Sequence, residues 1–111
     1  MPFNVLKDVT VVECATFVTG PYATALLGDL GARVIKVESP PDGDPYRYFA
    51  PDPVYSFNFA HLNRNKESIV LDLKSTQGKQ ICLDLIKRAD VFVENFRPGA
   101  AALGPRLQRA S

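Results

Sequence analysis

The stretch from Thr10 to Glu38 restricts the fold of this chain more than any other part of the sequence. An apolar run at residues 9–12 opens this stretch, and a second apolar run lies at residues 34–37. Between them, after a break at Gly20, apolar residues recur at helical spacing. Two short apolar strands joined by an amphipathic helix form a βαβ unit, whose strands are parallel and whose connection is right-handed.

An open parallel sheet binds its ligands beyond the carboxyl ends of its strands, so we expect a binding site near residues 14–21 and 38–41. A dinucleotide is the first ligand to consider, because Glu38 stands about 20 residues after the first turn, where a ribose-binding acid would lie. The glycine fingerprint of dinucleotide sites is missing, since this region offers only Gly20 and then Gly28. Dinucleotide binding is therefore a minor alternative, and Glu38 is equally well explained as a salt-bridge partner.

The second half of the chain repeats the alternation of strand and helix. Ser68 to Leu73 is a predicted strand after a polar turn at residues 63–66, and Ser75 or Thr76 supplies an N-cap for a helix. The apolar side chains of that helix fall on one stripe, at Ile81, Cys82, Leu85, Ile86 and Ala89. A fourth short strand follows at Val91 to Glu94. The pattern predicts the α/β class, a Rossmann-like parallel sheet with flanking helices.

The predicted helices are too few to cover the predicted sheet. A parallel sheet normally carries helices on both faces, but only two good helices and a short third one at residues 98–103 are indicated. We therefore expect an incomplete fold. On this interpretation residues 1–111 are the N-terminal portion of a larger domain, or a subunit whose core a partner completes.

Residues 39–56 are dense in proline, glycine and aspartate. Each proline removes a backbone donor and restricts its neighbour, so this segment is predicted to be a surface loop. Long loops often close over a site, and Tyr46, Arg47 and Tyr48 are available for stacking or for an anion contact. The simpler interpretation is an insertion that only packs on the surface.

Composition excludes several classes of protein. A chain of 111 residues, 46% of them apolar, corresponds to one small globular domain. No run approaches the ~20 apolar residues of a membrane span and the N-terminus lacks signal-peptide features, so we expect a cytoplasmic protein without a membrane partner. Cys14 and Cys82 lack metal-ligand or disulfide spacing, which favours reduced thiols in the core. His61, the single histidine, has no partner near it in sequence, and a structural role is expected.

The net charge of +1 conceals an asymmetry between the two halves of the chain. Residues 1–60 carry four basic and seven acidic side chains, a charge of −3, whereas residues 61–111 carry nine basic and five acidic side chains, a charge of +4. A moderate positive excess near strand ends suits a phosphorylated small ligand better than a nucleic acid, which normally needs a clustered basic face. Nucleic acid is therefore not an expected partner.

Three blocks of the sequence, in this order, resemble the N-terminal region of the family III CoA-transferases of the CaiB/BaiF type: GPYATALLGDLGARVIKVESPPDGD, NRNKESIVLDLKSTQGK and ADVFVENFRPG. That superfamily includes formyl-CoA transferase and α-methylacyl-CoA racemase. The resemblance covers roughly Leu6 to Gly99. It implies that residues 1–111 are the CoA-binding portion of an enzyme that acts on acyl-CoA and carboxylic acid substrates. It also implies an interlocked homodimer that uses no metal and no tightly bound cofactor, with coenzyme A or acyl-CoA as substrate.

The resemblance implies which residues contact coenzyme A over the carboxyl ends of the strands. The implied contacts are Val18, Thr19, Lys36, Leu71, Asp72, Leu73, Lys74, Asn95, Phe96 and Arg97. Lys74 and Arg97 would offer charge to phosphate, and Phe96 an apolar or stacking contact. Ser39 departs from the family, which often has a basic residue at that position. Lys74 and Arg97 are equally well explained as solvated cations, and Asp72 as the cap of the following turn.

In the transferases that the chain resembles, an aspartate carboxylate attacks the acyl-CoA thioester to give a mixed anhydride. The released CoA thiolate then converts this anhydride to an aspartyl-CoA thioester, and an acceptor acid reverses the two steps. The racemases instead move a proton with an acid and base pair. The family's nucleophilic aspartate follows the segment represented here, so we expect no catalytic residue in this chain and no activity from it alone. A racemase, or a noncatalytic CoA-binding or interaction fragment, remains as an alternative.

Overall fold

The structure is a computed structural model that describes residues 4–48 and 57–96. Along the chain these form β1 (Thr10–Cys14), α1 (Thr19–Asp29), β2 (Arg33–Glu38), a 3-10 helix (Pro45–Tyr48), α2 (Phe57–Leu62), β3 (Lys66–Val70), α3 (Thr76–Arg88) and β4 (Val91–Glu94). The predicted α/β class is confirmed. The short helix predicted at residues 98–103 lies outside the described residues, as does part of the loop predicted at residues 39–56.

The four strands form one parallel sheet in the order β3-β2-β1-β4. In the central strand Val12 lies opposite Ile35 of β2 on one side and opposite Phe92 of β4 on the other, while Val37 of β2 lies opposite Ile69 of β3. All strands run in the same direction, so the loops that follow them meet at one edge of the sheet. We call this the carboxyl edge.

Side chains that alternate along β1 fill a core on each face of the sheet. Val11 is buried with Val34, and Leu27 of α1 packs against them. Val12 points to the other face, where it is buried with Val37 and with Cys82 of α3. The central strand is thus covered on both faces, which explains its nearly continuous apolar sequence. Within the described residues, every helix is too short or too polar to cross a membrane.

The strand β3 begins two residues earlier than the sequence predicts and ends before Leu71. Lys66, predicted as part of a polar turn, pairs with Val34 at the start of the strand. A lysine is tolerated there because its ammonium group reaches a buried carboxylate, that of Glu13, at 2.8 Å. The sequence pattern misplaced this boundary because the partner that neutralises Lys66 is distant in the chain.

The helix α2 was not predicted. It has only six residues, of which only Leu62 is buried, so its hydrophobic periodicity is too short to recognise. It packs against α1 and against the 3-10 helix. Tertiary contacts therefore stabilise it, rather than its own sequence preference.

Candidate functional site

A cavity of about 230 Å³ lies at the carboxyl edge of the sheet. The end of β1, the loop after β2 and the segments after β3 and β4 all contribute to its wall. The residues that matter below are Cys14, Thr16, Glu38, Asp44, Leu73 and Phe96. The cavity occupies the place where a parallel sheet is expected to hold a ligand.

Side chains from two directions hold the turn between β1 and α1. Phe17 has a φ of 62°, which is uncommon for a residue other than glycine. The Asn95 side chain accepts a hydrogen bond from the Thr16 N–H at 3.1 Å and donates one to the Thr16 carbonyl oxygen at 2.8 Å. Asp44 accepts a hydrogen bond from the Phe17 N–H at 3.2 Å. The segments after β4 and β2 thus hold the turn in one conformation.

Close packing of α1 against the end of β1 depends on Gly20. A Cβ atom at this position would lie 2.3 Å from the Cβ of Ala15, a distance that side chains do not adopt. The missing side chain lets the first turn of α1 lie directly beside the strand end. The N-terminus of the helix is therefore part of the carboxyl edge, and its first residues, Thr19 and the preceding Val18, are exposed.

Four ionisable side chains, which we call the buried ionic cluster, lie beneath this turn: Glu13, Lys36, Asp44 and Lys66. The Lys36 Nζ atom lies 2.8 Å from Glu13 Oε2 and 2.9 Å from Asp44 Oδ2. The Lys66 Nζ atom lies 2.8 Å from Glu13 Oε1. These side chains are at most 2% exposed. Two carboxylates and two ammonium groups balance each other, which is the condition for burying charge.

The protonated ammonium group of Lys66 keeps the charges of the buried ionic cluster balanced near neutral pH. Burial lowers the pKa of Lys66 from 10.5 to about 8, in spite of the neighbouring Glu13 carboxylate, which raises it. The Glu13 carboxylate is further satisfied by the Thr24 hydroxyl, which donates a hydrogen bond at 2.7 Å. Glu13 therefore contacts both lysines and α1 from the central strand.

Lys36, one of the predicted coenzyme contacts, has its ammonium group inside this cluster. The same group donates a hydrogen bond to the Ala15 carbonyl oxygen at 3.1 Å. Lys36 thus supports the turn after β1 from inside the protein. Contact between its ammonium group and a ligand would require the cluster to open.

Glu38 forms a second charged arrangement at the end of β2. Its carboxylate accepts two hydrogen bonds from the Arg47 guanidinium group, at 2.7 and 2.8 Å, and one from the Asp44 N–H at 2.9 Å. The Ser68 hydroxyl donates a further one. The Arg47 guanidinium group in turn lies 4.0 Å from the centre of the Phe59 ring. The salt-bridge interpretation of Glu38 is confirmed, and Arg47 ties the 3-10 helix to the sheet.

We expect Glu38 to make the stability of the fold depend on acid pH. Burial raises the pKa of Glu38, but the hydrogen bonds from Arg47, Ser68 and the Asp44 N–H outweigh burial and lower the pKa from 4.5 to about 2. A carboxyl group with a lowered pKa contributes stability at higher pH that is lost as pH falls toward its folded-state pKa. Urea titrations should show the free energy of unfolding decreasing between pH 4.5 and about 2. The decrease should be smaller in Glu38→Gln, and an equal decrease in both proteins would contradict this role.

The segment Leu71 to Lys74 divides its side chains between the core and the surface. Leu71 and Leu73 are 8% and 7% exposed and belong to the core beneath α3. Asp72 accepts a hydrogen bond from the Lys74 N–H at 3.0 Å, which confirms that it caps the turn. Ser75 then caps α3, as predicted, by accepting the Gly78 N–H at 2.9 Å. The Lys74 side chain is exposed.

The structure brings only part of the predicted contact set to the cavity. Leu73 and Phe96 line it. Asn95 instead holds the neighbouring turn, and Arg97 lies outside the described residues. A ligand role for each predicted residue stays a prediction. Within residues 4–48 and 57–96, no group of three or more His, Cys, Asp or Glu side chains is arranged to hold a metal ion.

Sequence reasoning missed the buried ionic cluster and the proximity of two cysteines. Glu13 and Lys36 interrupt otherwise apolar strands, a signal that could have suggested a buried ion pair. Cys14 and Cys82 are both free, buried thiols whose sulfur atoms lie 3.6 Å apart. Nothing in their spacing indicates this contact, which depends on α3 packing across the end of β1.

The fold and the cavity define an α/β protein with a ligand site at the ends of its parallel strands. A sequence profile described as CoA-transferase family III matches residues 6–108. The chain belongs to this family. The resemblance seen in its three sequence blocks is thereby confirmed.

Individual relatives support the assignment. The chain is 42% identical to an acetyl-CoA:oxalate CoA-transferase from Acetobacter aceti, over 99% of this chain and 31% of that protein. It is 46% identical to a formyl-CoA:oxalate CoA-transferase from Streptomyces coelicolor, over 90% of this chain and 25% of that protein. It thus spans about a third or less of the length of these curated relatives.

Solved structures share the fold. A hypothetical protein from Mycobacterium tuberculosis superposes with a TM-score of 0.84 at 40% identity, over 99% of this chain and 31% of the other. A CaiB/BaiF family protein from Brucella suis superposes with a TM-score of 0.79 at 39% identity, over 87% of this chain and 27% of the other.

Proposed function

We propose that the protein transfers coenzyme A from an acyl-CoA to a carboxylic acid, and that this chain supplies part of the coenzyme site. The observation that carries the proposal is the cavity at the carboxyl edge, lined by Leu73 and Phe96, in a member of the CoA-transferase family. Relatives named as transferases between a CoA thioester and oxalate favour transfer over racemisation.

Three features of the carboxyl edge suit a nucleotide with phosphate groups. Val18, the N-cap of α1, makes no side-chain capping hydrogen bond, so the positive end of the helix beside Thr19 suits an anion. Lys74 places an exposed ammonium group after β3. Phe96 offers an apolar surface in the cavity wall. The hydrogen bonds to Thr16 and Phe17 fix the turn between β1 and α1 before a ligand binds. This lowers the entropic cost of binding.

The proposal assigns the nucleophilic aspartate to a segment outside these 111 residues. Within the described residues, several aspartates already have structural partners: Asp29 pairs with Arg64, Asp44 with Lys36, and Asp90 accepts the Thr10 N–H. The chemistry we propose is the family's mixed anhydride followed by an aspartyl-CoA thioester. An interlocked homodimer belongs to the same proposal and is supported by the family resemblance alone. A cytoplasmic location is also proposed, from the sequence features given above.

The phosphate contacts can be tested by removing one charge at a time. Lys74→Ala and Arg97→Ala should each weaken binding of coenzyme A by about tenfold or more, because hydrogen bonds to charged groups contribute about 1.5 to 3 kcal/mol. Binding of 3′-dephospho-coenzyme A should change less. Isothermal titration calorimetry of both ligands measures the difference.

Lys87→Ala is the matched control, since Lys87 is an exposed lysine in the last turn of α3, at the opposite edge of the sheet. The Lys87→Ala variant should bind coenzyme A and 3′-dephospho-coenzyme A with the same affinities as the unaltered protein. An equal loss for the two ligands in Lys74→Ala or Arg97→Ala would argue against a phosphate contact by that residue.

A further inference from the structure

Cys14 and Cys82 contact each other in the core between the sheet and α3. Cys14 is the last residue of β1, and Cys82 lies in the second turn of α3, which crosses the same face of the sheet. Their sulfur atoms are 3.6 Å apart and their exposed fractions are 3% and 0%. A disulfide bond is about 2.05 Å long, so its formation requires the sulfur atoms to approach by only about 1.5 Å.

The two thiols form a hydrogen bond, which makes their ionisation unequal. This bond lowers the pKa of Cys82, against the effect of burial. The same contact, followed by burial, raises the pKa of Cys14. A cysteine reacts as its thiolate, so the pair contains one thiol that ionises more readily and a second thiol next to it.

A small oxidant has a route to this pair. Cys14 forms part of the wall of the cavity at the carboxyl edge, together with Glu38 and Phe96. A hydroperoxide that enters the cavity therefore meets Cys14 at its wall, and the Cys82 sulfur lies 3.6 Å from the Cys14 sulfur.

We propose that Cys14 and Cys82 are a modification site at which a hydroperoxide forms an intramolecular disulfide between β1 and α3. The ionised sulfur attacks one peroxide oxygen, the O–O bond breaks and water or an alcohol leaves, which gives a sulfenic acid. The second thiol attacks that sulfur and expels the hydroxyl group as water. Two electrons pass from the two sulfur atoms to the peroxide. Because Cys14 belongs to the cavity wall, the new bond links oxidation to the shape of the candidate site.

Intact mass measures this reaction directly, because the sequence has only two cysteines. The folded protein is treated with hydrogen peroxide, quenched with catalase, denatured and alkylated. Untreated protein should gain two alkyl groups, and oxidised protein should gain none. If the oxidised protein is reduced with dithiothreitol before alkylation, it should again gain two. Cys14→Ser and Cys82→Ser should each fail to form the intramolecular bond. Two alkyl groups after oxidation, sulfinic acid without a disulfide, or a disulfide between chains would each overturn the proposal.

A second measurement separates a bond formed in the native fold from one formed after unfolding. A native disulfide restricts the unfolded chain and should raise the midpoint of thermal unfolding of the oxidised protein. The two serine variants should show no such increase after peroxide treatment. A lower midpoint for the oxidised protein would show that the bond distorts the fold, and would contradict the proposed geometry. Neither measurement depends on the proposed transferase activity.

Discussion

Replacement of Glu13 by glutamine should lower the free energy of unfolding by about 3 to 5 kcal/mol, the usual cost of removing one partner from a buried ion pair. The Glu13 carboxylate lies 2.8 Å from the ammonium groups of both Lys36 and Lys66. A neutral amide would leave Asp44 as the only carboxylate of the cluster, facing two buried cations. Urea unfolding followed by circular dichroism would measure the loss.

Glu67→Gln is the matched control, because it removes the same charge from an ion pair of similar length at the surface. Glu67 and Arg33 approach to 2.6 Å, but their side chains are 61% and 64% exposed. The expected loss is below about 1 kcal/mol. A loss in Glu67→Gln as large as that in Glu13→Gln would show that burial does not determine the effect.

A second substitution tests the charge balance itself. Glu13→Gln leaves two cations, Lys36 and Lys66, facing one carboxylate, and Lys66→Met removes one of these cations. The double variant should therefore lose less stability than the sum of the two single losses, because neighbouring sites in one network are not additive. Strict additivity would indicate that Glu13 and Lys66 do not interact in the folded protein.

Replacement of Gly78 by alanine should also destabilise the fold, by about 3 kcal/mol, at the upper end of the range for inserting a methyl group into a tightly packed site. A Cβ atom at Gly78 would lie 1.9 Å from the carbonyl oxygen of Asp72 and 2.6 Å from its carbonyl carbon. These are backbone atoms and cannot rotate away. Either α3 or the segment Leu71 to Lys74 must move, so affinity for coenzyme A should fall together with the thermal unfolding midpoint.

Gly28→Ala provides the control within another helix. A Cβ atom at Gly28 would meet its nearest neighbour, Val34, at an ordinary 3.6 Å. Alanine favours a helix over glycine by about 1 kcal/mol, so this variant should be as stable as the unaltered protein or more stable. Equal stability of Gly78→Ala and Gly28→Ala would contradict the close approach of α3 to Asp72.

The elements that the sequence predicted well are those whose signal is local. The strand β4 has the predicted bounds, Val91–Glu94, and Ser75 caps α3 as expected. The boundary of β3 and the existence of α2 were missed, because a distant carboxylate stabilises Lys66 and tertiary packing stabilises a six-residue helix. Local patterns contain no information about either contact.

The candidate site also has one aspect that the sequence predicted and one that it did not. Its location was predictable, because the ends of parallel strands meet at one edge whatever their order. The hydrogen-bond partners of its individual side chains were not predictable. Asn95 and Lys36, both predicted as coenzyme contacts, have polar groups that bond to the backbone of Thr16 and Ala15.

By itself the sequence determined the α/β class, the parallel strands, the edge that bears the candidate site and the family of the chain. These follow from periodicity and from motifs within short segments. Only the tertiary structure decided that Glu13, Lys36, Asp44 and Lys66 neutralise one another, and that Cys14 touches Cys82. The physical reason is that each of these contacts joins residues from different elements. Their distances depend on strand order and helix packing, which no local pattern specifies.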